Sequence, residues 1–186
     1  MQTPTVHVTP VVTKKDWKQF LKFPYSLYRD NPYWVPPLLS DQKQLLDFNK
    51  NPFFQHAAGQ FFLARRGSRI VGRIAGLVDN LHNQIHQEKT GFFGFFAVED
   101  DYEASAALLD AAKEWVRDQA MTHFRGPVNP SQNEDCGLLI DAFDSPPVIM
   151  MPYNPQYMVH HIEKYGLKKA MDLYAVSYTH LRAHET

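Results

Sequence analysis

"GFFGFFAVEDDYEASAALLDAA", Gly91 to Ala112, decides how the rest of the chain is read. Its first part is apolar at successive positions, as in a strand covered on both faces, so it belongs at the centre of a sheet. Its second part carries Ala104, Ala107, Leu108, Ala111, Ala112 and Trp115 at helical spacing, which predicts an amphipathic helix from Asp100 to Gln119. A strand running straight into a helix is a favoured phosphate seat, because the helix start offers free N–H donors and a positive dipole end. Phosphate loops put glycine and a basic residue there. This junction puts Glu99, Asp100, Asp101 and Glu103 there instead. Asp100 and Glu103 have capping-box spacing, so the helix is expected to cap itself.

Upstream, "GQFFLARRGSRIVGRIAGLVDN" reads as a β-hairpin, two strand-forming runs about Arg66-Gly67-Ser68. "VHVTPVV" is a further strand, confined by Pro10 to an edge or to a following turn. Thr13 caps a helix beginning "KKDWKQFLKFPY", with Trp17, Phe20 and Leu21 on one face. "YRDNPYWVPPLL" is an extended aromatic connection, followed by a short helix near Asp41 to Asp47. "LHNQIHQEK" reads as a polar connection. Downstream, "HFRGPVN" predicts a strand, "PQYMVHHIEKYG" a helix ending at Gly166, and "LKKAMDLYAV" the start of another strand.

The 186 residues carry a formal net charge of -1, so no overall basic field points to nucleic acid or a membrane surface. The single cysteine, Cys136, rules out an internal disulfide and suits a reducing compartment. No signal-peptide pattern opens the sequence, and no apolar run approaches the ~20 residues of a membrane helix. A cytoplasmic protein is expected, with neither nucleic acid nor membrane as partner.

Several groups of residues could carry chemistry. His82 and His86 are four apart and could share a helical face as metal ligands, but no third ligand is placed to close the site. Cys136 follows Glu134 and Asp135, whose charges raise a thiol pKa, so a buried structural cysteine is expected. "RRGSR" with Arg73 makes a small basic patch, read as a solvated hairpin turn. "GPVNPSQNEDCG" concentrates Asn129, Ser131, Gln132, Asn133, Glu134 and Asp135 directly after a strand, with Tyr153 and Asn154 further on. These side chains either grip a small polar ligand or bond their own backbone, as turn residues do.

The last eleven residues, "VSYTHLRAHET", break the pattern of the rest. They can be back-translated onto a transposase-type sequencing adapter, which implies a reading frame that ran from a DNA fragment into adapter. On that expectation the domain is residues 1–175, residues 176–186 are no domain, and the protein is truncated in mid-strand. His180 and His184 would then carry no function.

The element order resembles that of the GNAT acetyltransferase superfamily. "FFLARRGSRIVGRIAGLVD" looks like its second and third strands, and "GFFGFFAVEDD" with "ALLDAAKEWV" like its fourth strand and cofactor helix. "IEKYGLKKAMDLY" looks like the segment in which a helix ends at a Gly-aromatic pair. "DNPYWVPPL", "NPFFQHA", "HNQIHQEKTGFFGFF" and "GPVNPSQNEDCGLLIDAFDSPPVIMMPYNP" are similar to a bacterial group of longer, tandem GNAT-like proteins.

That resemblance implies an α+β fold, a mixed, mostly antiparallel twisted sheet flanked by helices and cut short at its C-terminal end. It implies that this chain is a first half, with a missing C-terminal GNAT-like half as its partner. Acetyl-CoA or another acyl-CoA would serve the full-length protein, transferring an acyl group to an amine. The family's phosphate loop, R/Q-x-x-G-x-G/A, has no counterpart in "EDDYEASAA", so no cofactor is expected on this chain alone. The family's Tyr general acid would fall on Ile162, with Tyr165 and His161 only its neighbours, so the catalytic residues stay unassigned. The fifth strand's end would face the groove where fourth and fifth strands splay, favouring Asn129, Ser131, Asn133, Glu134, Asp135, Tyr153 and Asn154 as substrate-binding residues. A non-catalytic module, packing against the second half or holding a small ligand, is the alternative.

Overall fold

A computed structural model describes residues 4–175. Five strands form one sheet in sequence order: β1 (Val6–Pro10), β2 (Ala57–Arg66), β3 (Arg69–Asp79), β4 (Thr90–Val98) and β5 (His123–Arg125). The first three pairings are antiparallel and β4 with β5 is parallel. β1 lies at the edge, where Pro10 can be tolerated.

The helices cover both faces. On one lie α1 (Lys14–Leu27) and α2 (Leu39–Leu45), over Phe61, Leu63, Ala75, Leu77, Phe92 and Phe95. On the other lie α4 (Tyr102–Asp118) and α5 (Gln156–Tyr165), over Ala64, Val71, Ile74, Phe93, Phe96 and Val98. Period-two alternation of Phe61 and Leu63 against Phe62 and Ala64 sorts β2 between the two cores. Thr13 and Asp16 close a capping box at the start of α1, and Gly166 ends α5 at φ 100°.

In β4 the alternation is reset. Phe92 and Phe95, three apart, share one core, while Phe93 and Phe96 share the other. Phe95 sits at φ 50°, and the β3–β4 register shifts between Arg73 and Ala75. One extra residue is therefore inserted in β4, a β-bulge opposite the middle of β3.

Several expectations are corrected. The "LHNQIHQEK" connection contains a helix, α3 (Asn80–His86), because the Asp79 carboxylate accepts from the N–H groups of Leu81 and His82. Helix α4 is capped by Asp101, which accepts from the Ala104 N–H, and not by an Asp100–Glu103 pair. Its buried side is Ala104, Ser105, Leu108, Leu109, Ala112 and Val116, since α5 packs along it and covers the Ser105 flank. Leu167 to Ala175 forms no strand. Among the described residues no neighbouring strand pairs with it, so its backbone groups have no ladder to join.

The expected strand "HFRGPVN" is split. β5 stops at Arg125, and Pro127 has no N–H with which to extend the ladder. The chain then leaves β4 and forms a small hairpin, β6 (Val128–Asn129) with β7 (Asp135–Cys136). The adapter-like segment, including His180 and His184, lies outside the described residues. No helix among them is long and apolar enough to cross a membrane.

Candidate functional site

Every carboxylate at the β4–α4 junction has a partner. Arg66 Nε and Nη2 donate to both Asp101 oxygens at 2.6 and 2.9 Å, and Nη2 also reaches Glu103 at 2.7 Å. Arg69 donates to Glu99, and Asp100 faces His161 Nε2 at 3.2 Å. Arg66 and the Ala104 N–H hold the Asp101 carboxyl below the usual range. The hairpin's basic tip is thus spent on the acidic helix start. A pyrophosphate does not fit here, because the cap position already holds a fixed anion and its cation is engaged.

Asp100, His161 and Ser105 form a chain, with Ser105 Oγ 2.7 Å from His161 Nδ1. Ser105 is fully buried, so it has no access to a substrate and serves as a strut between α4 and α5. Burial holds the His161 pKa below its ordinary value of 6.5, with Asp100 opposing. Below 6.5 the unfolded chain therefore binds the proton before the folded one does. The associated stability is complete above pH 6.5 and drains away as pH falls through the depressed folded value. His161→Gln is expected to flatten that part of the slope in urea unfolding followed between pH 7 and 5. An unchanged slope would show that other groups set it.

On the opposite face, the bulge and the departing β6 frame a cavity of about 330 Å³. Asn129, Glu134, Asp135 and Tyr153 border it, with Tyr28, Trp34, Arg73 and Phe95. Asn129 Oδ1 accepts from the Phe95 N–H at 2.5 Å, closing off the donor that the bulge turns out of the ladder. Ser131 Oγ donates to Glu134 and accepts from the Asn133 N–H at 3.1 Å, so these residues shape the β6–β7 turn. Asn154 is buried and pins Leu139, accepting from its N–H at 2.7 Å and donating to its carbonyl at 3.1 Å. Tyr153 accepts from Asn31. Of the seven residues expected to bind substrate, four therefore border one cavity, while Ser131, Asn133 and Asn154 do not line it.

Cys136 is half-buried, its thiol pushed up by burial first and then by Asp135. The rings of His82 and His86 stack 4.4 Å apart on α3. Among the described residues no group of three His, Cys, Asp or Glu is arranged to hold a metal.

Sequence reasoning missed Arg73, placing it in the solvated hairpin patch. It is only 8% exposed. Pro24 interrupts α1 without ending it, and lacking an N–H it leaves the Phe20 carbonyl without its helical donor. Arg73 Nη1 supplies that bond at 2.8 Å, and its guanidinium carbon lies 4.7 Å from the Phe20 ring centre. The signal was available: a lone arginine inside the apolar run "IVGRIAGLV".

This architecture is similar to crystal structures of an aminoglycoside acetyltransferase from an uncultured soil metagenomic sample, determined with sisomicin and with trehalose. Each has a TM-score of 0.53 and 11% identity, covering 95% of this chain and 97% of that one. The fold is thus GNAT-like: a mixed α+β domain with a mostly antiparallel sheet flanked by helices. In sequence, the chain is 41% identical over 169 residues to a bacterial ceramide synthase of Caulobacter vibrioides, covering 90% of this chain and 44% of that protein. It is 39% identical over 168 residues to Protein YghO of Escherichia coli, covering 90% of this chain and 43% of that protein. The chain thus spans less than half the length of these curated relatives. No family model matches the sequence.

Proposed function

We propose that this chain is the acceptor-side, GNAT-like part of a longer N-acyltransferase, whose acyl-CoA is held outside these residues. The observation that carries the reading is a polar cavity beside the β4 bulge in a GNAT-like fold, combined with a helix start that repels a pyrophosphate. The relative named as a ceramide synthase supports the reaction type, since ceramide is an amide of a long-chain amine. A second GNAT-like half supplying the acyl-CoA seat is consistent with relatives more than twice this length. The loop from Ile140 to Met150, with Ile140, Val148, Ile149 and Met150 exposed, offers an apolar surface against which such a half would pack.

The second reading, a non-catalytic module, rests on the same engaged groups: Asp101 at the helix start and Asn129 on the bulge N–H. Calorimetric titration with acetyl-CoA and palmitoyl-CoA separates the two. The longer protein proposed above is expected to bind one of them at least about a hundred-fold more tightly than this chain does. Absence of binding by the longer protein would remove the acyltransferase reading. Equal binding by this chain would overturn the assignment of the donor seat.

A further inference from the structure

The cavity beside the bulge holds charges of both signs that do not meet. Arg73 is more than nine-tenths buried, and one of its nitrogens bonds the Phe20 carbonyl. Its Nε is buried without any partner. Among the described residues no carboxylate lies within ion-pairing distance of it, whereas Arg65, Arg66, Arg69, Arg117 and Arg125 all have one. A buried guanidinium left without a counter-ion is costly, and the stacked Phe20 ring offsets only part of that cost. Glu134, half-buried, and Asp135, exposed, border the same cavity and form no ion pair among the described residues. Asp135 is exposed on the rim of the cavity, and its carboxyl is raised by partial desolvation first and then by the neighbouring Glu134. An arriving cation would relieve that crowding, and an arriving anion would give the Arg73 guanidinium the counter-ion it lacks.

Bridging by Arg73 and the acidic pair themselves does not occur, so a ligand carrying both charges satisfies all three groups at once. We propose that this cavity binds a zwitterionic small molecule, its carboxylate or phosphate on Arg73 and its ammonium against Glu134 and Asp135. A volume of about 330 Å³ suits a small molecule or the head of a larger one. Tyr28 and Trp34 add aromatic surface to the lining of the same cavity. Glu134 keeps one oxygen for Ser131, which fixes its position before any ligand arrives.

The proposal builds on the acceptor reading above, because it names the acceptor as an amine that also bears an acidic group. Its test uses no acyl donor, so either idea can fail without the other. Calorimetry on the full chain would compare γ-aminobutyrate and O-phosphoethanolamine with butyrate and butylamine. At least one zwitterion is expected to bind roughly ten-fold more tightly than both singly charged controls. Preference between the two zwitterions tells carboxylate from phosphate. Glu134→Gln with Asp135→Asn should reduce the zwitterion to the level of its singly charged analogue. Arg73→Gln should abolish the preference, and the pair Arg73→Gln with Pro24→Ala keeps the test sound by returning an N–H to the Phe20 carbonyl. Equal binding of zwitterions and controls, no binding of either zwitterion, or full affinity in the Arg73→Gln, Pro24→Ala protein would each overturn the proposal.

Discussion

Gly94→Ala is expected to destabilise the protein by about 3 kcal/mol or more and to disable the cavity at the same time. A Cβ on Gly94 would lie 1.6 Å from the Val128 carbonyl oxygen and 2.8 Å from its carbon. No side-chain rotation relieves a clash with backbone. β6 would have to move away from β4, and with it the Asn129 amide that holds the Phe95 N–H. Losing that bond leaves a buried donor unpaired, a further cost of about 1–3 kcal/mol. The crossing is tight because β6 passes directly over the bulge, where β4 and β5 have already parted. Urea unfolding of the variant measures the loss. A loss of less than about 1 kcal/mol would mean that β6 is free to shift and that the wall of the cavity is not fixed by this contact.

The parts of this molecule legible in the sequence are those set by near neighbours. The Gly67-Ser68 turn joins two antiparallel strands paired along their length, with one register shift between Ala64 and Arg65, and the αL glycine at 166 ends its helix where expected. The apolar run of β4 is buried at all nine positions, as its pattern implies. What stayed hidden depends on distant partners. The acidic residues at the start of α4 are explained by arginines thirty or more positions upstream, so their own spacing suggested the wrong cap. Arg73 looked like surface because its reason for burial, the orphaned Phe20 carbonyl, is created by a proline on another element. The bulge at Phe95 leaves no mark in an all-apolar stretch, where either face suits every side chain. For the same reason the polar loop after β6 could be marked as a candidate site, but not divided into residues that border the cavity and residues that only hold the turn.

Phe20→Ala is expected to cost about 3–5 kcal/mol, the usual range for deleting a fully buried aromatic ring. Phe20 has no exposed surface, and its ring sits 5.3 Å from Phe61, 6.1 Å from Trp17 and 6.3 Å from Phe95. It also supports the Arg73 guanidinium at 4.7 Å. Phe20→Leu separates these contributions. Leucine restores most of the apolar volume but not the π-face, so it should cost less than alanine while still losing the cation–π contact, about 1–2 kcal/mol in a desolvated setting. Either variant leaves the main-chain carbonyl in place, so Arg73 Nη1 keeps its acceptor while the head of the side chain loses its platform. Stability should then be largely recovered in the leucine protein, whereas zwitterion affinity should not be. If urea unfolding showed Phe20→Ala to cost less than about 1.5 kcal/mol, the α1 face would not be the rigid wall that the cavity requires. Equal zwitterion affinity in the leucine and parent proteins would instead show that Arg73 is positioned by the Phe20 carbonyl alone.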